Sequence, residues 1–352
     1  QGGDNEKLAF RVMKRGDELD RALSASDGAD SLADLGLRYD LTVPLTRFYA
    51  TNRSNLPSVF KAIQTGPVFR AERPQKGRYR QFVQCDIDII GDSTELAEIE
   101  LLNASLDALA AIGLADATIR VNHRTLLNSN ILALGVTDTE ASSAMISIDK
   151  LDKLGIEGVA SEMETKFGPT VARKTVEWLR SIEDSSAIPA ELANLFEVVS
   201  ARHDGKLRFD PTLVRGMGYY TGQIFEIEHP ESGGSIGGGG RYDGMVGRWL
   251  GQDVPAVGIS IGFERAVDLV ADDLLGAAEG LVLVVDEDAK ALTNALGLQA
   301  TLIETGEPAV RLERRPKKLN LLLENLAGQG FGRFAFVGAE SHSLADLQIK
   351  EI

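Results

Sequence analysis

Cysteine is nearly absent. Cys85 is the single one in 352 residues, which excludes an internal disulfide framework and any multi-cysteine zinc site. Histidine is almost as scarce: His123, His203, His229 and His342 are scattered and form no H-E-x-x-H pair, so a metal hydrolase built on imidazole ligands is not expected. Basic charge is outnumbered, 37 Lys and Arg against 52 Asp and Glu, for a formal charge of −15. So acidic a chain repels phosphate backbones on average, and any nucleic-acid contact must rest on a local basic patch. Long apolar runs are missing too. The longest nearly uncharged stretch, around Leu274 to Val285, is interrupted by Glu279 and is too short to span a bilayer. The first thirty residues are dense in charge and carry no apolar segment of a secretory signal. Neither a Walker A sequence nor G-x-G-x-x-G occurs, so the common phosphate cradles are absent.

What is present has the balance of an ordinary globular protein. Apolar residues make up 43% and charged residues 25%, which excludes a disordered or fibrous chain. A chain of 352 residues exceeds what one core usually organises, so two domains are expected. Residues 6–23 have the pattern of a charged amphipathic helix. Strand-like runs follow at 37–43 and 58–72, then a turn at Pro74-Gln75-Lys76-Gly77 and a long run over 78–90; the last two runs read as an antiparallel hairpin. Residues 94–112 have helical periodicity, 117–121 read as a short strand, and 125–202 as mostly helical. Strands are expected again at 213–214, 222–229 and 256–261, with a glycine-rich turn over 233–240 and a helix from Gly262. Farther on, a buried strand at 281–285, an Ala-rich helix, strands near 301–303 and 334–337 and a helix at 318–327 read as a small α/β domain.

Chemistry concentrates in a few segments. Arg70, Arg73, Lys76, Arg78 and Arg80 cluster around the hairpin turn. In the strand that follows, Gln84, Asp86 and Asp88 share one face while Val83, Cys85, Ile87 and Ile89 make an apolar face opposite. Arg38, Asp40 and Thr42 alternate in the same way. Such strands form either a solvated sheet face or the floor of a polar cleft. The cleft would hold an ammonium or imidazole group at its acidic end and a phosphate at its arginine end, since guanidinium forks fit phosphate oxygens. Cys85, on the apolar face, reads as a core residue. The run Gly237–Gly240, followed by Arg241-Tyr242-Asp243, is costly in backbone entropy unless something must approach the chain closely. Two G-x-S-x-G matches, at Gly233 and Gly258, do not make an esterase. Only His342 follows Ser260, and the parallel sheet pattern is missing.

Four ordered motifs resemble the class II aminoacyl-tRNA synthetases, and among them the histidyl-tRNA synthetase family. Motif 2 is matched from Phe69-Arg70-Ala71-Glu72 to Asp88, motif 3 from Gly258 to Arg265, and the two histidine signatures by Leu37-Arg38-Tyr39-Asp40-Leu41-Thr42-Val43-Pro44 and by residues 213–225. The second signature departs from the family pattern, with Met217-Gly218 in place of Leu-Asp. Motif 1, a helix and strand at the family's dimer interface, is expected before Gln1.

The resemblance implies an α/β (α+β) fold: an antiparallel-sheet catalytic core over 1–124 and 203–275, a helical insertion over 125–202, and a C-terminal anticodon-binding-like α/β domain over 281–352. It implies a cytoplasmic homodimer, with no membrane contact, that joins histidine to tRNA(His) using ATP and Mg²⁺. Arg70 and Arg215 would be catalytic. ATP would be bound by Arg70, Glu72, Arg78 and Arg265 with Gly239 in the strand floor, and histidine by Asp40, Thr42, Gln84, Asp88, Arg215, Tyr219 and Tyr220. No protein metal ligand is singled out. Arg311, Arg314, Arg315, Lys317 and Lys318 would offer phosphate contacts, or else form a solvated loop. The alternative readings are a non-catalytic, histidine-binding regulatory subunit of ATP phosphoribosyltransferase, which would be expected to lose the phosphate-binding arginines, and an RNA-binding protein without ligase activity.

Overall fold

The two alternating runs around residues 74–77 become the longest strands of the computed structural model, which describes residues 8–25, 28–74, 77–183, 187–215, 219–270, 280–307 and 309–352. The chain divides into two compact units, residues 1–269 and 270–352. In the first unit β1 (Arg11–Met13) and β2 (Ala33–Gly36) pair antiparallel around α1 (Asp17–Ala25). Next come α2 (Thr42–Asn52), β3 (Phe60–Phe69), β4 (Gln81–Ile90), α3 (Leu96–Ala111) and β5 (Thr118–His123). A helical stretch follows: α4 (Arg124–Ala133), α5 (Asp138–Ile148), α6 (Leu151–Phe167), α7 (Pro169–Glu183) and α8 (Ala190–Ser200). The chain then returns through β6 (Leu207–Phe209), β7 (Gln223–Glu228), β8 (Gly237–Arg241), α9 (Asp243–Leu250), β9 (Ala256–Gly262) and α10 (Phe263–Val267). Seven strands form one sheet in the order β3-β4-β9-β8-β7-β5-β6, antiparallel except for the β5–β6 pair.

The second unit alternates β10 (Gly280–Val285), α11 (Ala289–Glu304), β11 (Val310–Arg314), α12 (Leu319–Ala327) and β12 (Phe331–Val337), and ends on the short β13 (Lys350–Glu351). Its sheet order is β11-β10-β12-β13, with β10 parallel to both neighbours. Every residue of β10 is buried, because Leu281, Leu283 and Val285 pack with α11 on one face while Val282 and Val284 meet Leu326 of α12 on the other. That two-sided burial explains its unbroken apolar sequence.

Several local expectations give way to tertiary context. Residues 37–41 form no strand: Asp40 Oδ1 accepts the Val43 N–H at 2.9 Å and starts α2, whose first turn tolerates Pro44. The charged segment expected as one helix over 6–23 contains β1 and then α1. Residues 213–214 are irregular, and β6 lies before them. Residues 301–303 belong to α11; the strand is β11, which takes in Arg311 and Arg314. On β4 the polar face, expected either as a solvated surface or as a cleft floor, is buried, and of the apolar set only Ile89 is buried, so Cys85 is not the core residue it was read as. Gln84, Asp86 and Asp88 are the buried side chains, whereas Val83, Cys85 and Ile87 are partly exposed and Ile63, opposite Ile87, is 80% exposed. The polar face turns toward the interior of the unit.

The glycine run is a strand rather than a turn. A Cβ on Gly239 would lie 1.9 Å from the Gly258 carbonyl oxygen, so β8 can sit between β7 and β9 only without side chains. Arg241, at its end, is buried and forms a fork with Glu98 of α3, at 2.5 Å from Nε and 2.7 Å from Nη2. We expect Gly239→Ala to destabilise the first unit by ~3 kcal/mol or more, because backbone rather than a yielding side chain must move. Urea unfolding with an unchanged midpoint would contradict this account of β8.

Candidate active site

One cavity of about 910 Å³ in the first unit gathers side chains from segments far apart in sequence. Asp40 and Thr42 enter from the start of α2, and Arg70, Glu72 and Arg78 from the hairpin tip. Gln84, Asp86 and Asp88 form a wall on β4, with Arg215, Tyr219 and Tyr220 facing from the segment before β7 and Arg265 from α10. Gly237 and Gly238 line the cavity; Gly239, proposed for the floor, does not, since its missing side chain would face β9. All the other anticipated site residues are brought together. Met217 and Gly218, together with Gln75 and Lys76 of the hairpin turn, lie outside the described residues. Ser142 and Ile146 of α5 and the adjacent Asp149 also reach the cavity, so the helical segment shares in the site.

The acidic end is assembled by strand register. Asp86 faces Ser260 across the β4–β9 ladder, and Asp88 faces Gly258, whose absent side chain leaves room for the carboxylate. Tyr242 donates its hydroxyl to Asp88 Oδ1 at 2.6 Å, while Gln84 Nε2 donates to Ser260 Oγ at 2.7 Å. Asp88 Oδ2, Asp86 Oδ1 and Gln84 Oε1 are buried and find no hydrogen-bond partner among the described residues. Three unsatisfied acceptors on one wall are a ready receptor for N–H groups. Burial pushes the Asp86 carboxyl up to about 6, with the Ser260 hydroxyl opposing, and the Asp88 carboxyl up to about 7, where Tyr242 opposes and the Asp86 charge adds to the rise. Burial also raises the Tyr220 and Tyr242 phenols well above their usual range, so both stay neutral donors.

The basic end is built from held arginines. Arg70 lies between the rings of Tyr39 and Phe82, 4.6 and 5.0 Å from their centroids, and its Nε donates to the Tyr39 carbonyl at 3.2 Å. Arg265 donates Nε to the Gly77 carbonyl at 2.7 Å and Nη1 to the Ser235 carbonyl. Arg215 pairs with Glu226 and Ser235, and Arg78 lies 3.6 Å from Glu72. Burial and the charges of Arg78, Arg215 and Arg70 lower the Arg265 pKa, a sign of cations crowded without enough anions between them. Arginines at one end and free acceptors at the other fit an amino acid joined to a polyphosphate.

Sequence reading alone missed Tyr242, Ser260, Tyr39, Phe82 and Glu226. Tyr242 follows the glycine run directly, yet its pairing with Asp88 spans 154 residues and leaves no local trace. Asp86 did carry a signal, the shared face with Gln84 and Asp88.

The raised Asp88 carboxyl sets a pH dependence. Its folded pKa of about 7 exceeds the ordinary 3.8, so the folded chain binds more protons than the unfolded one between those values and loses stability as pH rises through them. Asparagine keeps an acceptor for Tyr242 and never ionises. Asp88→Asn should therefore exceed the wild type by ~2–4 kcal/mol at pH 8 and converge on it near pH 4. Thermal unfolding at both pH values checks this; a pH-independent gap would refute it.

The family model described as Histidyl-tRNA synthetase matches residues 6–266. A histidine–tRNA ligase of Leifsonia xyli is 50% identical over 98% of this chain and 85% of its own length, and one of Aeropyrum pernix is 38% identical over 86% and 74% respectively. The crystal structure of histidyl-tRNA synthetase from Nostoc sp. PCC 7120 superposes with a TM-score of 0.69 at 25% identity, covering 90% of this chain and 81% of the other. With the family model spanning most of the sequence and a relative at half identity over nearly all of it, the chain belongs to the histidyl-tRNA synthetase family.

Proposed function

We infer that the chain is a histidine–tRNA ligase, which activates histidine with ATP and passes it to the 3′ end of tRNA(His). The observation that carries this reading is one cavity lined both by Arg70, Arg215 and Arg265 and by Asp40, Gln84 and Asp88. Asp40 and Thr42 receive the α-ammonium, Gln84 sits beside the amino acid, and Asp88 and Tyr220 bond the imidazole, with Tyr219 beside them. A site that pairs both imidazole nitrogens leaves its buried acceptors unpaired with an apolar amino acid, a penalty of about 10⁴–10⁵ in discrimination.

Glu72 contacts the adenine, Arg78 and Arg265 the outer phosphates, and Arg70 and Arg215 the α-phosphate. A histidine carboxylate oxygen attacks the α-phosphorus in line, the bond to the bridging oxygen breaks, and pyrophosphate leaves with that electron pair. The terminal ribose hydroxyl of tRNA then attacks the adenylate carbonyl, expelling AMP. Neither step requires a protein nucleophile; positioning and neutralisation of the charge on phosphorus supply the acceleration.

Mg²⁺ enters as part of the MgATP substrate. Among the described residues no three His, Cys, Asp or Glu are grouped to hold a metal, and no step is assigned to it. The second unit is the tRNA-reading part in this account. Arg314 and Arg315, at the end of β11 and just beyond it, belong to a run that supplies phosphate contacts, and Arg315 is held by Asp286 at 3.0 Å. Homodimeric assembly and a cytoplasmic location follow the family resemblance. No helix among the described residues is long and apolar enough to cross a membrane.

Histidine-dependent ATP–pyrophosphate exchange tests the reading: exchange without tRNA is expected, and silence from the intact chain would overturn it. Arg215→Ala should cut exchange at least ~100-fold while histidine affinity stays within ~10-fold, since the interaction strengthens in the transition state. Equal losses of affinity and rate would reassign Arg215. A chain ended at residue 269 should keep exchange and lose tRNA charging; loss of exchange would argue against separable units.

A further inference from the structure

Arg215 is held on two of its three guanidinium nitrogens. Nε donates to Glu226 Oε2 at 2.8 Å, and Nη2 reaches the same oxygen at 2.7 Å and Ser235 Oγ at 2.8 Å. Nη1 lies over Gly238, close enough that a Cβ there would be 2.6 Å away, and has no partner among the described residues. The other carboxylate oxygen of Glu226 is itself gripped, by Arg120 Nη1 at 3.2 Å. Arg120 is 7% exposed and anchored in turn by Asp210 (2.7 Å to Nε), Glu228 (3.0 Å) and Asp152 of α6 (3.1 Å). Glu226 therefore bridges a buried, multiply paired cation and the cation at the cavity.

From this geometry we propose that Glu226, backed by Arg120, is a positioning residue that fixes the Arg215 guanidinium so that Nη1 alone points at the reacting phosphate. The inference rests on the assignment of Arg215 to the α-phosphate and adds how that arginine is aimed. A free arginine samples many rotamers and must be ordered as the transition state forms. One clamped beforehand by charged hydrogen bonds loses little further entropy at that moment. Glu226 also settles a competition. A carboxylate that engages the guanidinium along its Nε–Nη2 edge leaves the remaining amino group to the phosphate and the substrate carboxylate. Asp152 extends the chain of contacts to α6, so the helical segment and the catalytic arginine share one ion network.

The test compares variants of the full chain in histidine-dependent ATP–pyrophosphate exchange. Glu226→Gln keeps the shape and loses the charge; its kcat should fall about tenfold or more while the KM for histidine moves less than about threefold. Arg215→Lys supplies a background in which a guanidinium no longer needs aiming, and there Glu226→Gln should cost less than about threefold more. A merely structural Glu226 would act equally in both backgrounds. Should Glu226→Gln unfold, Ser235→Ala removes the second hold on Nη2 and should lower kcat about threefold with the histidine KM unchanged and the effect again absent beside Arg215→Lys. Full kcat in the folded Glu226→Gln chain, or multiplicative losses in the double variants, would overturn the proposal. If Arg215→Ala and Arg215→Lys both retain wild-type exchange, the assignment of Arg215 itself fails and this inference with it; dead Arg215 variants beside a fully active Glu226→Gln overturn the positioning role alone.

Discussion

Two aspartates buried side by side with oxygens left unpaired are a standing liability, and much of the first unit is arranged around holding Asp86 and Asp88 in place. They sit on the strand that has the longest ladder among the described residues, ten residues against β3 and seven against β9. Tyr242 ties one oxygen of Asp88 to the segment after the glycine strand, and Ser260 stands beside Asp86 and Gln84. The β register that sets both carboxyls on this wall also carries core residues such as Ile89 and Ile90 on the same strand. The cost of keeping them is borne by the folded state as a whole. The return is a wall of acceptors that a donor-rich ligand satisfies and an apolar one leaves stranded.

At the opposite end the logic is reversed. Arg70, Arg215 and Arg265 are cations brought close together, and each is steadied by neutral or anionic groups that do not occupy its whole donor set: ring faces and one carbonyl for Arg70, two carbonyls for Arg265, a carboxylate and a hydroxyl for Arg215. Partial satisfaction is the common thread between the two ends. It makes the cavity polar, oriented and incomplete without an occupant that is cationic on one side and anionic on the other.

Much of this was legible in the sequence because period-2 alternation and arginine clustering are local properties. The hairpin of β3 and β4, β9 running into α10, and the helical stretch after β5 lie close to where the pattern put them. The failures have physical causes. Alternation in residues 37–41 was mimicked by side chains with separate tasks: Arg38 binds the Pro67 carbonyl, while Asp40 accepts the Val43 N–H at the start of α2. The glycine run carries no side chain from which a strand could be inferred, so only its neighbours in the sheet reveal it as β8. Burial of the polar rather than the apolar face of β4 could not be read from alternation, which says that two faces differ and not which one is covered. Tyr242 with Asp88, and Glu226 with Arg215, are meetings made by the fold.

The glycine strand has a consequence for how such a pocket can change over evolutionary time. Because the base of the cavity beneath Arg215 presents bare peptide at Gly237 and Gly238, it offers no side chain for mutation to exchange, and β-carbons are forbidden at the adjoining positions by neighbouring backbone. A change in the shape of the hollow therefore has to come from the surrounding walls, because the sheet itself leaves no room for one from below.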